Sequence, residues 1–187
     1  MTRLGTALAA AVALLSVTAC TGEEPAGGDP TSAPPTTASA SPSPTPSAPT
    51  IPPEATKHSA DGAAAFVKYY ISVFNHAEAT LETDGIESHT SPKCTSCQRM
   101  VQRLEKVREG GGSSGDPNWQ PTVTGSQLVN GAFIVTADIT SSDFPYRESS
   151  NASPGIVKAT EYKLLYELGW RSGGWVIDRI VEQELPE

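Results

Sequence analysis

Ten of the chain's 16 prolines fall in one run, Thr21 to Pro53, which reads TGEEPAGGDPTSAPPTTASASPSPTPSAPTIPP. Each proline removes a backbone donor and locks φ, so neither a helix interior nor an inner strand suits this run. It also carries almost no large apolar side chain, and so has nothing whose burial would offset the entropy of ordering it. Its prolines keep it extended, at about 3 Å per residue and a reach on the order of 100 Å. The sequence therefore predicts a tether over residues 20–53 and confines folding to residues 54–187. That length suits one domain with an ordinary core, and no repeat at solenoid spacing divides it. The Ser/Thr density of the tether would also suit O-linked sugars.

Residues 1–19, MTRLGTALAAAVALLSVTA, place Arg3 ahead of a short run of Leu, Ala and Val. This is the charged start and apolar middle of a secretion signal, too short to span a bilayer. The stretch Val17-Thr18-Ala19-Cys20 resembles the lipobox of bacterial lipoproteins. The resemblance implies that Cys20 takes a diacylglyceryl group and that the chain is cut just before it. Two acyl chains meet the two-signal condition for stable anchoring, so the expected location is the extracytoplasmic face of the cell membrane. Without Arg3 the chain has 12 basic against 21 acidic residues, a net charge of −9. That balance disfavours nucleic acid or an anionic lipid surface as partner.

Within the domain, Phe66, Tyr69, Tyr70, Val73, Phe74 and Ala77 recur at the spacing of one helical face, with Ser59 or Asp61 as cap. A short helix is expected around Ile86. A second long helix is expected from Ser91 as N-cap and Pro92 as first residue, with Cys97, Met100, Val101, Leu104 and Val107 as its stripe. Gly110-Gly111-Gly112 would end it. The remainder reads as strands. Asn130-Gly131 between apolar runs signals a hairpin, and Phe133, Val135, Ala137 and Ile139 alternate as one face of a half-buried strand. A loop over 141–155 precedes a long strand from Val157, V-K-A-T-E-Y-K-L-L-Y-E-L, in which Tyr162, Leu164, Tyr166 and Leu168 share a face. The turn W-R-S-G-G leads to a last strand, W-V-I-D-R-I-V. Helices followed by strands in meander order predict an α+β domain, with helices packed on one face of a curved antiparallel sheet.

Pro53-Glu54-Ala55, G-A-A-A-F-V-K-Y-Y from Gly62, Asn75-x-Ala77, Thr80, P-K-C-T-S-C and the glycine run resemble an actinobacterial lipoprotein family of unknown function. The resemblance implies a cone-shaped fold of the nuclear transport factor 2-like superfamily, related to SnoaL-type cyclases and ketosteroid isomerases. It implies a surface location and no reaction, since fold alone does not settle function.

Cys94 and Cys97 admit three readings. In an oxidising compartment a structural disulfide is the first. A redox centre would gain from a helix N-terminus, which stabilises a thiolate, but no strand leads into the motif as thioredoxin-like folds require. A zinc site would need His76 and His89 as further ligands, in the unfamiliar spacing H-x12-H-x4-C-x2-C. The disulfide is the expected reading, with no metal and no cofactor.

A pocket between helices and sheet would draw on Tyr69, Tyr70, Asp138 and Asp178, and a carboxylate there could shuttle protons as in ketosteroid isomerases. Both aspartates also fit exposed strand positions. Motifs for serine hydrolases, zinc peptidases and phosphate loops are missing. The sequence thus predicts a non-catalytic binding or interaction domain facing a cell-wall, protein or small-molecule partner. The alternatives are a small-molecule or isomerase-like pocket protein and a thiol–disulfide oxidoreductase.

Overall fold

The computed structural model describes residues 46–183. The expected leader, Cys20 and all but the last part of the expected tether lie outside the described residues. The domain opens with a 3-10 turn, Pro53–Thr56, and then α1, Ala60–Thr80. Ser59 caps α1 by accepting from the Gly62 N–H at 3.1 Å. A Cβ on Gly62 would sit 1.9 Å from the Lys57 carbonyl oxygen, so only glycine lets the chain turn this tightly into the helix. Phe66, Tyr70, Val73, Phe74 and Ala77 are buried, while Tyr69 is half-buried at the margin of the stripe. Each large apolar side chain buried here contributes about 2 kcal/mol of transfer free energy.

The chain leaves α1 through Leu81 in the left-handed region, φ 62°, a conformation costly for leucine. Burial of its side chain offsets that cost. A five-residue helix, α2, Asp84–Ser88, buries Ile86 as expected. Residues 89–91 then lie along the last strand: the Ile177 N–H donates to His89 O and the Ser91 N–H to Ile177 O, both at 2.9 Å. This covers a strand edge that would otherwise expose unpaired backbone groups.

The second long helix starts later than the proline suggests. Helix α3 spans Thr95–Glu109 with Cys94 as N-cap. Ser91 instead closes the preceding turn, its Oγ accepting from the Lys93 N–H at 3.2 Å and its carbonyl from the Cys94 N–H at 3.0 Å. A capping serine followed by proline fits a turn as well as a helix start, and here the turn prevails. At the other end Gly111, φ 65°, and Gly112 form a Schellman motif, donating to Arg108 O at 3.0 Å and Val107 O at 2.8 Å.

The main sheet contains β2, Gln120–Val129; β3, Ala132–Thr140; β6, Glu161–Arg171; and β7, Gly174–Glu182, in the order β2-β3-β6-β7, all antiparallel. Asn130 and Gly131, and likewise Ser172 and Gly173, have positive φ, the pairing that a two-residue hairpin with native twist demands. Register breaks between Val123 and Gly125 and between Glu167 and Leu168 bend the sheet around the helices. The inner face holds Phe133, Val135, Ala137 and Ile139 from β3 and Leu164, Tyr166 and Leu168 from β6, all buried.

Two expectations for the strand half need correction. The segment 141–155 is not a plain loop, because Phe144–Arg147 forms β4. It pairs with β1, Ser113–Ser114, and β5, Gly155–Val157, in a small second sheet ordered β1-β4-β5. The long strand expected from Val157 breaks at Lys158–Thr160, where Asp143 accepts from the Ala159 N–H at 2.7 Å and from Lys158 Nζ at 2.8 Å. The architecture is otherwise the expected α+β arrangement, helices on a bent antiparallel meander.

Candidate functional site

Between α1, α3 and the inner face of β6 and β7 lies a cavity of about 300 Å³, at the small end of ligand-binding pockets. Ile71, Phe74, Met100 and Leu164 supply its apolar wall. Two phenols, Tyr70 from α1 and Tyr166 from β6, line it, and both side chains are essentially fully buried. Burial raises the pKa of each, and the neighbouring Tyr70 adds to the rise at Tyr166. Both therefore stay protonated across the physiological range and act as neutral hydrogen-bond donors. The Tyr70 hydroxyl has no hydrogen-bond partner among the described residues. A buried hydroxyl left so costs about 1–3 kcal/mol, which a ligand oxygen placed against it would recover. Ser96, Arg99 and Glu182 make the mouth polar.

Of the four pocket residues read from the sequence, only Tyr70 lines this cavity. Tyr69 is its neighbour on the helix, about 100° further round, and its hydroxyl lies 3.3 Å from His89 Nε2. Asp138 falls on the strand phase opposite to Ala137 and Ile139, opposite Thr122 on one side and Lys163 on the other, outside the core face. Asp178 follows the buried Trp175 and Ile177 on the opposite phase of β7 and so faces outward, 2.6 Å from Arg171 Nη2. Burial would raise the Asp178 carboxyl, but the Arg171 hydrogen bond, the nearby Ser91 hydroxyl and the Arg171 and Lys93 charges outweigh it and hold the pKa low, although Oδ1 has no hydrogen-bond partner among the described residues. Such a carboxylate is a settled ion pair, not a poised base. Alternation placed Tyr166 on the inner face in the sequence, yet nothing along the strand indicated that it would meet Tyr70.

Trp119, unremarkable in the sequence, closes one side of the cavity together with Tyr162. Its ring centroid lies 4.4 Å from that of Phe74 and 5.4 Å from that of Tyr162.

Cys94 and Cys97 are joined in a disulfide across the first turn of α3. The same Cys94 sulfur accepts from the Cys97 N–H at 3.3 Å, so cross-link and helix cap coincide. Both residues are 0 % exposed. An attacking thiolate must reach a sulfur to exchange with it, so a buried bridge is a poor redox centre. His76 and His89, the further ligands of the zinc reading, are engaged elsewhere: His76 Nε2 lies 3.4 Å from Glu82, and His89 faces Tyr69. Among the described residues, no three His, Cys, Asp or Glu side chains are grouped to hold a metal ion.

No curated protein matches the chain. Among solved structures, the intermembrane space region of the chloroplast protein ARC6 superposes with a TM-score of 0.51 at 12% identity, over 67% of this chain and 97% of that one. At such identity the likeness is one of fold. An NTF2-like protein of unknown function from Shewanella baltica aligns over 70% of this chain and all of its own, with 10% identity and a TM-score of 0.40. Residues 34–181, part of the proline-rich run and nearly all of the domain, match a family profile, and the chain belongs to that family, the family of unknown function DUF6318.

Proposed function

We propose that this chain is a lipid-anchored, extracytoplasmic binding protein whose domain holds a small amphiphilic molecule without transforming it. The observation that carries the reading is the Tyr70 hydroxyl, buried and unpartnered among the described residues, on a side chain that lines a cavity with an apolar wall and a polar mouth. Tyr166 beside it offers a second neutral donor, and a pair of neutral donors suits a carbonyl or hydroxyl oxygen. The anchor rests on the lipobox-like Val17–Cys20 and on the proline-rich run that follows, which would hold the domain away from the membrane.

An isomerase-like reading needs a carboxylate held at raised pKa inside the cavity. Asp138 and Asp178 both lie outside it, and the one carboxylate in its lining, Glu182, is exposed at the mouth. Burial of Cys94 and Cys97 weighs against thiol exchange. Binding without turnover is what this geometry serves.

The test is a thermal-shift screen of lipids, sterols and glycans on the wild type and on Tyr70→Phe, which keeps the ring and deletes the hydroxyl. Oxygen-bearing amphiphiles should raise the melting temperature of the wild type, and the variant should lose most of that rise. A screen in which only glycans act, with equal shifts in both proteins, would reject the cavity as the site. Palmitate labelling that survives Cys20→Ser would reject the anchor.

A further inference from the structure

The cavity has a neighbour. Phe74, Met100, Trp119 and Tyr162 line it and also line a second cavity of about 470 Å³. The second extends to Glu78, Arg103, Phe144 and Val157. The four shared residues stand where the two meet, and three of them, Met100, Trp119 and Tyr162, are only half-buried. Methionine is the most adaptable of apolar side chains, and partly exposed rings and thioethers change rotamer on fast timescales. The Trp119 main chain is held at both N–H and C=O by the Asn75 amide. Any opening at this residue is therefore a swing of the indole alone.

The two ends differ in chemistry. At one end stand the neutral donors Tyr70 and Tyr166. At the other, Glu78 is 2 % exposed and its two oxygens are taken by Arg103 and Ser114. The Arg103 side chain remains 41% exposed, with a planar fork of five donors of which one is committed to Glu78. Between the ends the lining is aromatic and aliphatic. Polar ends joined by an apolar middle describe an elongated ligand better than a compact one.

We infer that the two cavities are a single ligand channel with the Trp119 indole as its gate, and that the ligand is a long-chain, lipid-like molecule. Its hydroxyl or carbonyl oxygen sits against Tyr70 and Tyr166, and its apolar chain passes the indole into the apolar part of the second cavity, short of the charged end at Arg103. This rests on the binding reading above and adds to it the shape of the ligand and the path it takes.

The test is calorimetric titration of the full chain with straight-chain primary alcohols. Affinity should tighten by about fourfold per added methylene, the burial of one CH2 each time, from about four carbons to about twelve. Val157→Trp, a change at the half-exposed rim of the second cavity, should bring the longer alcohols back to the affinity of the short ones. If affinity stops rising at the short alcohols, the channel is overturned and a single small pocket remains, with the binding reading intact. If Val157→Trp leaves long-alcohol affinity untouched, the chain does not enter the second cavity and the inference fails. If no alcohol of any length binds, both readings fail together.

Discussion

The side-chain amide of Asn75 completes both main-chain hydrogen bonds of Trp119: Nδ2 donates to the Trp119 carbonyl at 3.0 Å, and the Trp119 N–H donates to Oδ1 at 2.9 Å. The residues lie 44 apart in sequence. The contact thus ties the middle of α1 to the start of the main sheet and fixes the wall shared by the two cavities. Only an asparagine or glutamine head carries a donor and an acceptor in this arrangement. Asn75→Ala should lower stability by about 2 kcal/mol, since it leaves two half-buried main-chain groups without their partner. Asn75→Asp keeps the acceptor alone and should cost about half as much. Urea denaturation midpoints of the three proteins measure this directly, and the same loss for both variants would show that the acceptor contributes nothing.

For the disulfide, the expected contribution is modest. A four-residue loop, Cys94–Cys97, removes little freedom from the unfolded chain, about 2 kcal/mol in the chain-entropy picture. In Cys94→Ser/Cys97→Ala the serine remains a good N-cap, so the loss isolates the cross-link from the cap. Native protein in mild dithiothreitol should resist thiol labelling, because both cysteines are buried, and should label fully once unfolded. Fast labelling of the native state would bring the redox reading back.

These two contacts mark what a single sequence discloses and what it hides. The stripe on α1, the Asn130-Gly131 hairpin and the inward face of β3 are local, set by periodicities of 3.6 and 2 that are visible residue by residue. The Asn75–Trp119 bond and the meeting of Tyr70 with Tyr166 depend on where α1 crosses the sheet, which no local pattern encodes. The outward aim of Asp178 follows from simple alternation with the buried Trp175 and Ile177. The register break beside it instead brings Ile180 to the inner face, which alternation counted through a bulge misses. The late start of α3 is a competition between two uses of the same residues, Ser91 and Pro92, that tertiary contacts decided: Ser91 is drawn onto the edge of β7 by its bond to Ile177.

Glu78 is the one acidic side chain of α1 that the fold buries, and it survives there on Arg103 and Ser114. Arg103→Met should cost about 2 kcal/mol or more, because it strands a carboxylate with only the serine hydroxyl as partner. Arg103→Met/Glu78→Gln should recover part of that loss by removing the charge. Guanidinium unfolding of the single and double variants tests it. A double variant less stable than the sum of the single changes would mean that the pair is not the relevant unit.

His89 gives the domain a pH dependence of definite sign. Its ring is half-buried against Phe66 and Tyr69, and burial lowers its pKa from the ordinary 6.5. Below 6.5 the unfolded chain takes up a proton that the folded chain still refuses, so protonation favours unfolding. Stability should therefore be at its full value above 6.5, decline as the pH falls through the lowered value, and level off below it. Carboxylates held by partners, such as Asp178 with Arg171, act in a separate and more acid window, below the ordinary carboxylate value of 3.8. His89→Gln keeps a polar head near Tyr69 and cannot titrate. Melting temperatures followed from pH 7 to about 5 should slope downward for the wild type and stay nearly flat for the variant. Parallel curves would assign the slope to another group and show that the His89 ring is solvated as well in the folded chain as in the unfolded one.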